Sequence, residues 1–218
     1  MCFSAGASFA GGAVISAIGV VTIRKARNPA QKLFSAIPLL FAFQQFSEGV
    51  LWLTIPSGDV SYIQIYATYF YLLMALVIWP FMLPYSVYKM EFDLRRKKLI
   101  NRFFTGGVIL SIYYAFCLVK FHVNPSISGF HVEYINDFPV KAGYLAFAIY
   151  LISTIAPLFL STVKKMNLFG ILITISCFVT GIFYKEFLTS VWCFFAALIS
   201  AVIYFIIKES DSSGLILG

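Results

Sequence analysis

Charge is scarce in this chain. Lys, Arg, Asp and Glu supply 11% of its 218 residues, against about 25% in an ordinary soluble domain. That deficit excludes a water-facing surface over most of the molecule. Acids are scarcest: there are nine, and only Glu48 falls inside a long apolar run. Histidine occurs twice, at His122 and His131. One chain therefore cannot build a three-histidine zinc site, and neither histidine lies in an apolar run from which to ligate haem. Of four cysteines, Cys2, Cys117, Cys177 and Cys193, three lie in apolar runs and no pair has CxxC spacing. This excludes a disulfide framework. There is no HExxH, no glycine-rich phosphate loop, and no lysine in the last apolar run before Lys208. The N-terminus has no basic stretch, and its first apolar run ends in Arg24-Lys25 rather than a cleavage site, so no cleaved signal peptide is expected.

What remains is 61% hydrophobic, arranged in seven runs over residues 5–23, 33–55, 62–85, 103–121, 142–161, 168–184 and 188–207. Crossing a bilayer takes about 20 apolar residues as a helix. Barrel strands would instead alternate over about ten. The expected fold is an all-α membrane protein, a seven-transmembrane helix bundle forming a single domain over 1–208, with a polar tail at 209–218. Thirteen of the sixteen basic residues fall in alternate loops: Arg24 to Lys32, Lys89 to Arg102, Lys164 and Lys165, and Lys208. Lys and Arg gather on the cytoplasmic side, which places the N-terminus outside and the C-terminus in the cytoplasm. The net charge of +7 is accounted for in this way, and no nucleic-acid partner is implied.

Within the spans, Ser4, Ser8, Gly12 and Ser16 recur every four residues. Small residues at that spacing let two membrane helices approach closely, and the sequence neighbour at 33–55 is the expected partner. Pro38, Pro80, Pro84 and Pro157 are expected to bend their helices. Tyr62, Tyr66 and Tyr69 form an i, i+4, i+7 stripe, readable as an interfacial belt or as the wall of a cavity. The longest loop, about 122–140, holds both histidines. Its alternating Phe130 to Ile135 segment reads as a short strand or a lid.

Gln44, Gln45, Glu48 and Trp52 place one polar stripe with an aromatic end on one helix face. A carboxylate in hydrocarbon is costly and usually faces a bundle interior or a functional path. The reading is an outward-opening pocket anchored by Glu48. Gln44 and Gln45 would orient a ligand, Ser4 and Cys2 would form the rim, and Trp52 and Tyr66 the walls. A cysteine at position two, freed by loss of Met1, would offer an amine and a thiol together. That pair could help bind a metal with Glu48, His122 or His131, or act as a nucleophile.

The opening Met1-Cys2-Phe3-Ser4-Ala5 and the later Gln44-Gln45-x-x-Glu48-Gly49-x-x-Trp52 resemble an uncharacterised family of small bacterial integral membrane proteins. The resemblance implies a bacterial inner (plasma) membrane location and carries no activity. The seven-span layout alone also resembles the ceramidase and adiponectin-receptor superfamily of membrane hydrolases, whose zinc-binding histidines this chain lacks. Two functional classes follow. One is a sensor, carrier or ion-binding protein taking a small ligand or metal ion at Glu48. The other is a membrane-embedded enzyme acting on a lipid or lipid-linked substrate, with Glu48 as general base and Cys2 as nucleophile. A third reading has the polar stripe only joining helices. Its partners are the bilayer and a small-molecule or lipid ligand, and an oligomer is compatible with the composition.

Overall fold

The computed structural model describes residues 4–58 and 61–214. Among these residues are ten α-helices, α1 to α10, three short helical segments of other kinds and a two-stranded hairpin. Among the described residues, six helical stretches are long and apolar enough to cross a membrane, seven if a bent pair counts as one. The first is α1 (Ala5–Lys25), capped by the Ser4 hydroxyl, which accepts from the Ala7 N–H at 3.2 Å. α2 (Pro29–Ser35) and α3 (Ile37–Thr54) form the second. Asn28 caps α2 and Pro29 opens it, four residues before the apolar run begins. The break at Ala36 follows from Pro38, which has no N–H to give the preceding turn.

α1 packs against α3 as the small-residue spacing suggested, but along Ser8, Gly12, Ile15, Gly19 and Thr22. A strict four-residue spacing drifts about 40° per step on a 3.6-residue helix, so Ser16 rotates out of the seam. A Cβ at Gly12 would lie 2.7 Å from the Phe46 ring, and one at Gly19 2.9 Å from the Leu39 nitrogen.

The third stretch is α4 (Tyr62–Leu72), a π-helical turn (Leu73–Ile78) and α5 (Trp79–Met90). The Trp79 N–H bonds the Met74 carbonyl, and the next wide rung would need an N–H from Pro80, which has none. Tyr150 Oη donates to the Ala75 carbonyl instead, at 2.8 Å, and Ser111 Oγ donates to Val77 at 2.6 Å. Pro84 likewise leaves the Pro80 carbonyl without its helical donor. Gly107 approaches that oxygen so closely that a Cβ would sit 1.8 Å away.

α6 (Leu94–Lys120) starts well before its apolar run, because Asp93 accepts from the Arg96 N–H at 2.8 Å and caps it. α7 (Val140–Leu160) and α8 (Met166–Phe183) follow. α9 (Leu188–Ile199) and α10 (Val202–Gly214) form the bent pair, at 40°. Residues 209–214, expected as tail, continue α10. Lys165 pairs with Glu209 at 2.7 Å, and Gln31 donates to Ser210 at 3.0 Å.

The basic loops meet at one end of the bundle, where Glu91 links two of them. Its carboxylate accepts from the N–H groups of Phe92, Asp93 and Thr162 at 3.0, 2.9 and 2.7 Å, and from the Thr162 hydroxyl at 2.6 Å. Burial pulls its pKa up, but these bonds together outweigh that and hold it below the ordinary value. At the other end sits the hairpin of β1 (Val123–Ser128) and β2 (His131–Asn136). Gly129, at φ +60°, opens its two-residue turn.

Candidate functional site

Gln44, Gln45 and Glu48 share the inner face of α3, and all three are fully buried. The Ser190 hydroxyl of α9 donates to Glu48 Oε1. One turn away, Trp79 Nε1 donates to Gln44 Oε1 at 3.0 Å. Trp79 is itself stacked on Phe41, with ring centroids 4.0 Å apart. The Cys193 thiol lies beside the Gln44 amide and is also within electrostatic reach of Glu48. Three elements thus meet around Gln44 and Glu48: α3, the start of α5 and the first turns of α9.

Several polar atoms here have no hydrogen-bond partner among the described residues. They are both amide atoms of Gln45 and the indole nitrogens of Trp52 and Trp192. Buried polar groups are nearly always bonded, so such a cluster calls for a physical reason. Beside it lies a cavity of about 40 Å³ walled by Phe41, Trp79, Tyr150, Thr154, Trp192 and Cys193. That exceeds the ~10–15 Å³ a single water needs.

The hairpin closes the site from above. Val132 is fully buried with Leu51 and Ala67, and Trp52 and Tyr134 pack around them. Tyr134 stacks on Tyr71 at 4.9 Å, and the Tyr71 hydroxyl donates to the Thr189 carbonyl at 3.3 Å. Thr189 precedes Ser190, so one ring stack and two hydrogen bonds connect the hairpin to Glu48. His131 is held against the rings of Tyr184 and Phe187 at 5.1 and 4.7 Å. Its burial lowers the imidazole pKa below the ordinary range. Glu48 and the two glutamines are thus sealed from the surface.

Several sequence-derived site residues stand elsewhere. Tyr66 is 73% exposed and lines an outer groove with Phe43, Ser47 and Phe70, away from Glu48. A tyrosine stripe fixes a helix face but not its direction, and Tyr71 is the one that turns inward. Ser4 is exposed and its hydroxyl serves as the α1 cap. Trp52 is half-buried at the rim. His122 is exposed, and His131 is in its aromatic slot. Among the described residues no three His, Cys, Asp or Glu side chains gather to hold a metal. Cys2 lies outside the described residues. Ser190 went unassigned in the sequence, and Trp79, which its place near a span end suggests as an interfacial anchor, is buried against Gln44 instead. The only trace of Ser190 is its three-residue spacing from Cys193 at the start of an apolar run.

No curated protein and no solved structure matches the chain. Residues 1–215 match a family of unknown function, DUF6629. The match takes in every element of the bundle and the whole Glu48 site, and the chain belongs to that family.

Proposed function

We propose that this chain is a seven-span protein of the bacterial inner membrane that binds a small hydrogen-bonding ligand at Glu48, beneath the hairpin. The ends of the bundle support the orientation. Basic loops tied together by Glu91, Arg96 and Lys165 lie at one end, which fits a cytoplasmic face. The hairpin then faces outward and the N-terminus lies outside.

One observation carries the ligand reading. A fully buried carboxylate, held by Ser190, sits beside a glutamine whose amide oxygen and nitrogen both lack hydrogen-bond partners among the described residues. A ligand with its own donor and acceptor would satisfy Gln45, while its remaining atoms occupy the adjoining cavity. A sensor or carrier fits an occluded site of this kind, with release through movement of the hairpin.

All three tryptophans of the chain, Trp52, Trp79 and Trp192, border the site. Tryptophan emission is therefore a site-specific readout. Titration of the purified protein with a panel of small polar metabolites is expected to shift the emission saturably, and Glu48→Gln to abolish the shift. A saturable response of equal midpoint in Glu48→Gln would refute the reading.

A second reading has one observation in its favour. A hydroxyl donating to a carboxylate is the arrangement that activates a serine nucleophile, so Ser190 and Glu48 could act on a lipid-linked substrate. Covalent labelling of Ser190 by a serine-reactive lipid analogue, lost in Ser190→Ala, would establish it.

A further inference from the structure

The first turns of α6 carry Arg95, Arg96, Lys97 and Lys98, followed by Arg102, with no acid in the first turn. Three cations near this junction are engaged within the chain. Arg96 donates to the Leu160 carbonyl at 2.9 Å, Lys97 lies over the Tyr88 ring at 4.9 Å, and Lys89 lies over Tyr85 at 5.2 Å. Arg95, Lys98 and Arg102 are exposed, and no described residue pairs with them. They stand at i, i+3 and i+7, so they form one stripe on the outer face of α6. Like charges so spaced repel, and cations at a helix N-terminus also oppose its dipole.

The same stripe continues down the helix through Thr105, Ile109, Ile112 and Phe116, all exposed. Its character changes abruptly at Arg102: two basic turns, then only Thr105 and apolar side chains. α6 has 27 residues, or about 40 Å of helix, which matches a bilayer together with its headgroup layers. Phe92, 86% exposed, and Leu94 stand beside the first basic turn, where interfacial aromatic and aliphatic groups anchor in headgroups.

We infer that this face of α6 is a binding site for an anionic phospholipid. Its phosphate lies against Arg95, Lys98 and Arg102, and its acyl chains run along Ile109, Ile112 and Phe116. The continuous apolar stripe selects a lipid over a free phosphate. The headgroup relieves the repulsion that the helix does not offset internally. The inference rests on the membrane reading and is independent of the Glu48 site.

The test uses the full chain in detergent micelles doped with equimolar phosphatidylglycerol and phosphatidylcholine of matched chains, with retained lipids counted by native mass spectrometry. Wild type is expected to retain phosphatidylglycerol preferentially. In R95Q/K98Q/R102Q the preference is expected to fall by about tenfold or more. K25Q/K32Q/K164Q removes as much charge from the same end and is expected to keep the preference. Excess glycerol phosphate, a headgroup without chains, should not displace the lipid. Tryptophan emission in each variant checks that the bundle is intact. An unchanged preference in the α6 variant, an equal loss in the control variant, or displacement by glycerol phosphate would each overturn the inference.

Discussion

Gly107→Ala tests how α5 and α6 are held together. An added Cβ would lie 1.8 Å from the Pro80 carbonyl oxygen and 2.7 Å from its carbon. Both are backbone atoms, so no side-chain rotation relieves the clash. An ordinary contact begins at 3.4 Å, and the helices must part by roughly 1.6 Å to reach it. That movement would break the Ser111 bond to Val77, now 2.6 Å, at about 1 kcal/mol. Lost packing brings the total to about 3 kcal/mol, the upper end for overpacked cores. For a chain of this size the melting temperature should fall by about 6–12 °C. The assay is thermal unfolding in detergent, followed by tryptophan emission. Gly106→Ala is the matched control, because nothing lies within 4 Å of its Cβ position. It should leave the melting temperature unchanged or raise it slightly, since alanine favours helix by up to about 1 kcal/mol. Equal melting temperatures for the two variants would refute the packing account.

Three further outcomes follow. Tyr150→Phe should cost about 1 kcal/mol, because the Ala75 carbonyl loses its donor; in a Pro80→Ala background, where residue 80 regains an N–H, the same change should cost measurably less in thermal unfolding. Gly19→Ala should lower the melting temperature more than Gly6→Ala, since only the former meets a backbone atom of α3. The Glu91 carboxyl titrates below its ordinary value of 4.5 when folded, so its stabilisation is complete above pH 4.5 and is lost as the pH falls through the folded-state value. Acid unfolding followed by tryptophan emission should therefore be steeper for wild type than for Glu91→Gln, and Glu91→Gln should be the less stable of the two at neutral pH.

The long apolar helices were legible because apolar length is a strong signal, and their ends were not. Residues 94–102 read as a basic loop, yet arginine and lysine are good helix formers, and the decisive residue was the cap Asp93. The break at Ala36 and the π turn before Trp79 both trace to prolines, whose places were visible but whose local solutions depend on donors from other helices. The shared buried face of Gln44, Gln45 and Glu48 was readable from spacing, since an acid in an apolar run has few places to go. Tyr66 was not, because tyrosine suits a lipid-facing surface as well as a core. Ser190 was hidden for a similar reason: a small hydroxyl residue in an apolar helix leaves no periodic mark. The hairpin was half visible. β2 alternates, whereas β1, with Asn124 and Pro125, does not resemble a strand until the turn at Gly129 folds it back.

The central claim is that Glu48 anchors a small ligand beneath the hairpin. It is tested most directly by extracting small molecules from wild type and Glu48→Gln, purified identically from membranes, and comparing them by untargeted mass spectrometry. The account predicts a compound recovered in near-stoichiometric amount with wild type and absent from Glu48→Gln at equal folded protein. Indistinguishable small-molecule profiles from two folded proteins would contradict it.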